Sequence, residues 1–592
     1  MRFRRLRSTA KSESYQTRFG GINLQNGTPL GEWEELHNMT AESYPAVCSM
    51  PCRRYKSLPS DMTGFTFKDD MLVYTVSDGI YIGDTKLDLE LSLSGKKLVS
   101  MGAYIVILPD WIVINSEDMS VMEGTVSDET TAVTITGGTL YEINFNQTSP
   151  TVDIRKLMYY ETDASNSALE KLKKGDRVKL SYAYKGKAMS FVISVDSIST
   201  EESYLEEGRA AVIFDTASGI YKDTRYFFSE VQPMTDNRFV ARHENVTLEK
   251  SSEIEKAEIP DMDYELIVEH NNRLWGCSSE NHEIYCSKLG DPFTWKEYSG
   301  LSTDSYAVTV GSDGDFTGST VYNDSVLFFK ENCVHVVYGT KASNFTLSTI
   351  ELRGVQKGSH NSICKSNGLL YYKAPEGIFA FNGSASVRAD GRLGRDIKET
   401  AVGVADDDAV YMATDDTVYV YDYLHDSWHT EDIMEGHGTM VSGHNYGGAL
   451  YLTMAIGNLV RLYLMRGNND SFTEFDETVG FSLVTGDLNR TGAIMRHISK
   501  LRFVIGVDDT YTDVSFTISI SYNGGGYKTV YSYDSTKAKP STEIFTVPII
   551  PMRCQRMKIR IGGVVTENSY GNAPAFTLYG IYYTTEGGTE LG

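Results

Sequence analysis

The chain alternates short apolar runs with polar turns, and the clearest example is residues 271–295. Leu274 and Trp275 centre one apolar run, and Ile284 and Tyr285 centre the next, beyond a polar turn. Two runs of this length, followed by a Gly-Asp-Pro sequence, are typical of antiparallel strands joined by a tight connection. This stretch therefore predicts a β-hairpin.

The same two-strand pattern recurs along the chain. Its matching strand centres are Val73 with Tyr81, Ile105 with Val113, Trp275 with Tyr285, Phe328 with Tyr338, Tyr371 with Phe379, Tyr411 with Tyr419, and Tyr451 with Val460. From Phe328 onward the hairpins follow one another about every 40 residues, the period of a four-stranded propeller blade. A lone hairpin cannot bury its apolar face, so such units must pack together in a ring or an array. We predict an all-β chain built on a β-propeller of about seven blades, with six or eight as alternatives.

Three regions depart from this rhythm. Gly and Pro interrupt residues 10–58 too often for a compact domain, so we expect an extended segment that lies on another surface or closes the ring as a borrowed strand. A short helix over 166–174 and alternating strands predict a small β-barrel-like domain inserted between two blades. The last hundred or so residues alternate again around an Asn-Gly turn, which predicts a β-sandwich. The predicted order is an N-terminal arm (1–60), blades (61–123), the inserted domain (124–261), further blades (262–480) and the C-terminal sandwich (481–592).

The net charge limits which partners the chain is expected to bind. The chain has 79 acidic against 55 basic residues, a formal net charge of −24, which argues against a surface that neutralises phosphates. The one basic cluster is interpreted as a docking arm, with a solvated tail as the alternative. Its members are Arg2, Arg4, Arg5 and Arg7.

Cysteine spacing and apolar runs predict a soluble protein with reduced thiols. The seven cysteines form no Cys-x-x-Cys pair, so neither a zinc ribbon nor a disulfide framework is indicated. Cys277 and Cys286 lie on opposite arms of one hairpin and are interpreted as cross-strand neighbours. No secretory signal is visible, and the longest apolar stretch, 103–114, is too short to span a bilayer.

Candidate chemistry is sparse, and we expect no enzyme activity, cofactor or metal. The loop that begins at Ser312 has a faint likeness to a sialidase Asp box, but it does not recur on other blades, and a polar loop explains it better. The densest set of potential metal ligands is interpreted as structural or exposed, because no spacing fixes a coordination geometry. That set is His425, His429, Glu431, Asp432, Glu435 and His437. No nucleophile elbow or P-loop is present in the sequence.

Several phrases together resemble structural tail proteins of phages and prophages of Gram-positive bacteria. They are Gly-Gly-Ile-Asn at 20–23, Gly-Glu-Trp at 31–33, Asn-Met at 38–39, Tyr-Pro at 44–45, and the runs 272–275, 288–295 and 327–331, with His335 and Tyr338-Gly339. The resemblance covers the N-terminal arm and residues 262 to about 430, and the nearest class is the tail hub or nozzle, also called the packaged-DNA stabilisation protein, of short-tailed phages.

The resemblance implies β-propellers in a ring, usually of six copies, below the portal and adaptor rings, with fibres or a needle as further partners. Such a protein is part of the virion tail and is made in the cytoplasm of the host bacterium. Its channel carries double-stranded DNA without specific binding, and an acidic lumen suits this because neutralised phosphates add affinity. The loop carboxylates predicted to line that lumen are Asp406, Asp407, Asp408, Asp415 and Asp416.

Two other functions stay open. One is a receptor- or carbohydrate-binding propeller at the tail tip, either an adhesin or an enzyme that hydrolyses glycans with paired carboxylates. The other is a scaffold propeller of a cell. Ring-shaped particles would support the tail-hub function, and release of reducing sugar would support the carbohydrate-active propeller. A monomer with neither property would support the scaffold.

Overall fold

A computed structural model describes residues 11–25, 27–69, 71–92, 95–123, 133–144, 156–174, 176–184, 187–200, 208–214, 232–233, 239–250, 264–432, 438–456, 459–468, 472–488, 496–508, 512–537, 544–567 and 574–587. In these residues the chain is all strands and turns, with no α-helix. The predicted helix over 166–174 is shorter than expected, a single 3₁₀ turn at Leu169–Lys171, because so short a segment gains too few hydrogen bonds to continue. Other 3₁₀ turns are Ala342–Asn344, His360–Ser362 and Asp390–Leu393.

The N-terminal segment, defined here as residues 11–58, contains five short strands. They are β1 (Lys11–Gln16), β2 (Trp33–His37), β3 (Met39–Thr40), β4 (Val47–Ser49) and β5 (Arg54–Leu58). None of them forms a hairpin with its neighbour except β3 with β4. Its strands therefore serve sheets that are built mostly from later parts of the chain.

Seven antiparallel blades follow, five of them separate four-stranded sheets, while blades 6 and 7 belong to a nine-stranded and a five-stranded sheet. We name the four strands of each blade A to D from the axis outward. Blade 1 consists of β6 (Gly64–Lys68), β7 (Met71–Val76), β8 (Gly79–Ile82) and β9 (Thr85–Asp88). Blade 2 consists of β10 (Lys97–Met101), β11 (Tyr104–Leu108), β12 (Ile112–Asn115) and β13 (Val121–Glu123). The insertion between blades 2 and 3 holds β14 (Val133–Asn144), β15 (Lys156–Asp163), β16 (Arg177–Tyr184), β17 (Lys187–Ser199), β18 (Arg209–Phe214), β19 (Gln232–Pro233) and β20 (Phe239–Lys250).

The later blades resume after the insertion. Blade 3 is β21 (Leu266–His270), β22 (Arg273–Ser278), β23 (Glu283–Cys286), β24 (Tyr306–Thr309), and blade 4 is β25 (Gly318–Tyr322), β26 (Ser325–Phe329), β27 (Cys333–Tyr338), β28 (Thr346–Glu351). Blade 5 is β29 (Cys364–Ser366), β30 (Leu369–Ala374), β31 (Gly377–Phe381), β32 (Ser386–Arg388), and blade 6 is β33 (Val402–Ala405), β34 (Ala409–Ala413), β35 (Thr417–Asp422), β36 (Ser427–Asp432). Blade 7 takes β37 (Thr439–Tyr446), β38 (Ala449–Ile456) and β39 (Leu459–Arg466) from this region.

The blades close into a ring. Strand β5 of the N-terminal segment pairs with β39 and supplies strand D of blade 7, with Tyr463 opposite Tyr55. The short β40 (Glu474–Phe475) pairs on the far side of β5. The A strand of blade 7 contacts the A strand of blade 1, so the ring has no open seam between its first and last blades. The predicted seven-bladed propeller is confirmed.

Apolar clusters between adjacent blades hold the ring together. The seven predicted hairpins are the B–C hairpins of the seven blades, and their side chains fill these clusters. Between blades 2 and 3, for example, the ring of Trp111 meets Trp295 edge-on with centroids 6.1 Å apart. Trp295 belongs to the Gly-Asp-Pro-Phe-Thr-Trp sequence that ends the stretch 271–295, so this sequence packs blade 3 against blade 2.

The inserted domain is a closed barrel. Its strands run in the order β14-β15-β18-β17-β16-β20, and β20 pairs again with β14. The side chain of Tyr160 fills its interior, where the hydroxyl accepts a hydrogen bond from Gly138 N at 3.1 Å and lies 3.1 Å from two carbonyl oxygens. Val133 and Lys250 are opposite one another, so the chain enters and leaves the barrel at one place.

The C-terminal strands form a β-sandwich that shares strands with the N-terminal segment. They are β41 (Thr478–Thr485), β42 (Arg496–Val507), β43 (Thr512–Tyr522), β44 (Lys528–Asp534), β45 (Ile544–Val547), β46 (Met557–Glu567) and β47 (Phe576–Gly587). One sheet runs β3-β4-β47-β42-β45, with β1 also on β47. The other, β2-β41-β46-β43-β44, continues blade 6 through a parallel bridge from β36 to β2.

Candidate functional site

The turns between the A and B strands form one end of the propeller, which we call the A–B turn face. Four of them have both central residues in the left-handed region, the geometry of type I′ hairpin turns. The residues involved are Asn271-Asn272, Asn323-Asp324, Asn367-Gly368 and Gly447-Gly448. Asn, Asp and Gly are the residues that tolerate this conformation, which is why this face is rich in amides and carboxylates.

Polar contacts link these turns from blade to blade. Lys68 Nζ donates to Gly102 O at 2.5 Å, which joins blade 1 to blade 2. The hydroxyl of Tyr322 donates to Gly368 O at 2.6 Å, which joins blade 4 to blade 5. Each bond gives a backbone carbonyl of one A–B turn a donor from the preceding blade. On the A–B turn face, blade 1 is thus joined to blade 2, and blade 4 to blade 5.

Asp406, Asp407 and Asp408 lie on this face, in the A–B turn of blade 6. Arg466 of blade 7 pairs with Asp406 at 3.4 Å and with Asp408 at 2.9 Å. The exposed Asp407 accepts a hydrogen bond from the backbone N–H of Asn367 at 3.3 Å. Two of the three predicted carboxylates are therefore partly neutralised.

Asp415 and Asp416 lie elsewhere. They form the turn at the other end of β34, so a whole strand separates them from Asp406 to Asp408. At the rise of a strand this is on the order of 13 Å. Both side chains are exposed, and Asp415 Oδ1 accepts from Met440 N at 3.4 Å. The structure thus divides the predicted set between two ends of the propeller, and Asp324, which is 76% exposed, joins Asp407 on the A–B turn face.

The set of potential metal ligands, interpreted from the sequence as structural or exposed, contributes to an ion-pair network between blade 6 and the N-terminal segment. Glu431 and Arg53 form a salt bridge with each side chain 5% exposed, and His429 Nε2 lies 3.0 Å from Glu431 Oε1. Burial favours a raised pKa for Glu431, but the charge of Arg53 and the hydrogen bond from His429 outweigh it and lower that pKa. The described residues contain no group of three His, Cys, Asp or Glu that could hold a metal ion. Glu435 and His437 lie outside the described residues.

Neighbouring contacts extend this network. Asp432 Oδ1 lies 2.6 Å from His37 Nε2, and its other oxygen accepts from Asn38 Nδ2 at 2.8 Å. The His37 hydrogen bond lowers the pKa of Asp432. The ring of His425 stacks on Tyr44 with centroids 4.3 Å apart. Histidines that sequence reasoning grouped as ligands therefore fasten the N-terminal segment, and Arg53, 378 residues from Glu431, is the partner it missed.

The other predicted features have simple outcomes. Arg2, Arg4, Arg5 and Arg7 lie outside the described residues, so the docking arm stays a prediction. None of the seven cysteines forms a disulfide. Within the described ranges, no helix has the length and apolar character needed to cross a membrane. A crevice beside Trp33, also lined by Gln16 and Leu30, has room for about one water molecule.

No family model matches the chain, and no curated protein matches it. Among solved structures, three examples align with much of this chain at low sequence identity. BamB from Moraxella catarrhalis is 11% identical and aligns over 71% of this chain and 98% of its own, with a TM-score of 0.33. PorZ, a surface component of the type-IX secretion system of Porphyromonas gingivalis, is 12% identical over 82% of this chain and 70% of its own, with a TM-score of 0.25.

The third is the extracellular domain of the putative one component system BT4673 from B. thetaiotaomicron. It is 8% identical over 89% of this chain and 95% of its own, with a TM-score of 0.21. Similarities this weak carry no function to this chain.

Proposed function

We propose that this chain is a structural virion protein that forms a ring, the tail hub or nozzle of a short-tailed phage. The ring extends and closes the DNA channel below the portal and adaptor, retains the packaged genome and guides its ejection. Its partners are copies of itself, usually six, the adaptor ring and fibres or a needle. Its role requires no catalysis and no cofactor.

The observation that carries the proposal is the interlocked build of the chain. β1 pairs with β47 and β5 completes blade 7, so the first and the last described strands pair with each other and the N-terminal segment closes the ring. A nine-stranded sheet continues from blade 6 into the sandwich. A ring wall around packaged DNA must resist outward force, and strand pairs of high sequence separation must break together before such a unit opens. This build suits a load-bearing wall.

The residues that carry the family resemblance have roles in this interlocking. Ile22, in the Gly-Gly-Ile-Asn sequence, donates its N–H to Trp428 O at 2.7 Å. A side chain at Gly21 would begin 2.3 Å from Trp428 N, so this close approach of the N-terminal segment to blade 6 needs glycine. The resemblance and the architecture therefore support the same function through the same residues.

The acidic turns suit a passage for DNA. A duplex has a negative charge about every 1.7 Å of its axis, and each phosphate that a protein neutralises adds affinity that ejection must overcome. Exposed carboxylates such as Asp324 and Asp407 offer no such contacts. If they face the lumen, the DNA slides past without being held.

Electron microscopy of the purified full-length protein tests the ring. We expect closed rings of one copy number, six by analogy. A monomer at all concentrations would contradict the proposal, and release of reducing sugar from host surface polysaccharide would support the carbohydrate-active alternative instead.

A pair of matched variants tests which end of the propeller faces DNA. Asp324→Lys with Asp407→Lys adds the same charge to the A–B turn face that Asp415→Lys with Asp416→Lys adds to the other end. In assembled rings, the pair of substitutions that faces the lumen is expected to retain duplex DNA. The logarithm of the affinity should fall linearly with the logarithm of the salt concentration, with a slope of about −0.9 for each contacted phosphate. Retention by neither pair would contradict an acidic lumen at these turns.

A further inference from the structure

The loop between blades 3 and 4 brings a serine hydroxyl onto a buried histidine. Ser312 Oγ lies 2.7 Å from His335 Nε2, and His335 Nδ1 lies 2.9 Å from Thr349 Oγ1. His335 is 1% exposed, while Ser312 is part-exposed between the exposed Gly311 and Asp313. With Thr349 accepting the Nδ1 proton, Nε2 is left as the acceptor for the serine hydroxyl. This is the geometry of a nucleophile beside a general base.

The loop that holds Ser312 is fixed at both ends. Val310 N donates to His282 O at 2.7 Å, and Phe316 N donates to Ser279 Oγ at 2.9 Å. Both bonds anchor the loop to blade 3. The position of the serine is thus set by backbone and hairpin contacts and does not depend on the histidine alone.

A buried ammonium lies beside the pair. Lys330 is 1% exposed, its Nζ donates to Ser312 O at 2.7 Å, and it sits 4.7 Å from the centre of the Phe316 ring. Among the described residues no carboxylate reaches it within ion-pair distance, although Asp313 and Asp315 lie nearby. An uncompensated buried cation is costly to keep, and it stabilises a negative charge that develops next to it.

We propose that Ser312 and His335 form a nucleophile–base pair that accepts the acyl group of a small carboxylic ester. Ser312 Oγ forms a bond to the carbonyl carbon as its proton moves to His335 Nε2, and the oxyanion develops near Lys330. The ester C–O bond then breaks, and the alcohol leaves with the proton from His335. Water then bonds to the acyl carbon as His335 takes its proton, the bond from that carbon to Ser312 Oγ breaks, the proton returns from His335 to Oγ, and the carboxylic acid product leaves. This activity is separate from the ring function.

At neutral pH the base is unprotonated, as a proton acceptor must be, and its low pKa makes it a weak base, so a slow reaction is expected. Burial, and then the charge of Lys330, lower the pKa of His335 to about 4, so the imidazole is neutral above that value. The nearby Cys333 is a poor alternative nucleophile, because burial raises the pKa of its thiol. The charged groups around the pair are Lys330, Asp313, Asp315 and Glu351.

A fluorophosphonate probe tests the pair in the full-length protein, with the labelled peptide identified by mass spectrometry. We expect label on Ser312. His335→Gln should lower its rate about 100-fold or more, and Thr349→Val, at a positioning residue, should lower it less. Ser120 and Ser165 are internal controls, because their hydroxyls bond to carboxylates at 2.6 and 2.8 Å, and they should stay unlabelled.

The pH profile separates a base from a structural hydrogen bond. The labelling rate should be level from about pH 6 to 8 and fall as pH approaches 4, where His335 becomes protonated. Circular dichroism and thermal unfolding check that each variant is folded. Unlabelled wild-type protein, equal label on control serines, or a folded His335→Gln protein that labels at the wild-type rate would each overturn the proposal.

Discussion

The N-terminal segment and the inserted barrel are both long departures from the blade repeat, yet they join the propeller in opposite ways. The N-terminal segment distributes its five strands among blade 7, the sheet that extends blade 6, and the second sandwich sheet. Among its described residues, the barrel has strand pairs only within itself, and its apolar cluster contains no blade residue. One region is therefore part of the framework, and the other is a separate unit at one connection.

The difference shows what sequence separation does to stability. A strand added from far away in the chain has a high entropic cost of loop closure, so it must recover that cost in buried contacts. The N-terminal segment does so with the buried Arg53–Glu431 pair and with Trp33, which is 1% exposed. A self-contained barrel recovers its cost from its own core, so its loss should leave the propeller intact.

The largest effect should come from breaking the buried pair. Arg53→Met leaves the Glu431 carboxylate buried without its cation, and removal of one partner of such a pair costs about 3–5 kcal/mol. We expect a lower midpoint for propeller unfolding in denaturant while the barrel transition is unchanged. Lys56→Met, at an exposed position of the adjacent strand β5, is the matched control and should have little effect.

A second substitution sharpens this test. Adding Glu431→Gln to Arg53→Met removes the stranded charge, so part of the lost stability should return. If the double variant is less stable than the single one by a further full increment, the two side chains act independently and the pair does not fasten the segment.

Acid should weaken the same contact by a smaller amount. The folded pKa values of Glu431 and Asp432 are both lowered. Such groups contribute stability that is complete above their unfolded values of about 4 and is lost as pH falls through the folded values. Peptide-resolved hydrogen exchange, corrected for intrinsic rates, should show β2 and β5 losing protection below about pH 4 before the barrel strands do. Simultaneous loss in both regions would contradict this order.

Sequence patterns predicted the local parts of this fold well. All seven B–C hairpins were identifiable because each is one contiguous stretch of about a dozen residues with a regular alternation. Five of the seven predicted partners differ from the observed ones by one position, as for Tyr411, which faces Val420 rather than Tyr419. The other two differ by more, because Phe328 faces His335 rather than Tyr338 and Tyr451 faces Leu464 rather than Val460. The pairing of β5 with β39 joins residues more than 400 positions apart, and no local pattern identifies such a partner.

The candidate sites were predictable to different degrees. Asp406 to Asp408 were recognised as a turn, but only the coordinates show that Arg466 partly neutralises them and that Asp415 and Asp416 lie at the other end of β34. Ser312 was interpreted as part of a polar loop, because His335 is 23 residues away in another blade strand. Side chains brought together by blade packing leave no spacing signal in the sequence.

The smallest effect should follow removal of the barrel. Because Val133 and Lys250 are opposite one another, the chain enters and leaves the barrel at one place, and the test replaces residues 124–261 by a Gly-Ser linker between β13 and β21. The propeller and sandwich should then unfold at the same midpoint as in the full chain, and the isolated barrel should fold with its own core. Tyr264 packs on Trp111 with ring centroids 5.4 Å apart, so the linker must end before it. A shift in the propeller midpoint larger than that of Lys56→Met would mean that the barrel supports the ring, and the contrast between the two regions would fail.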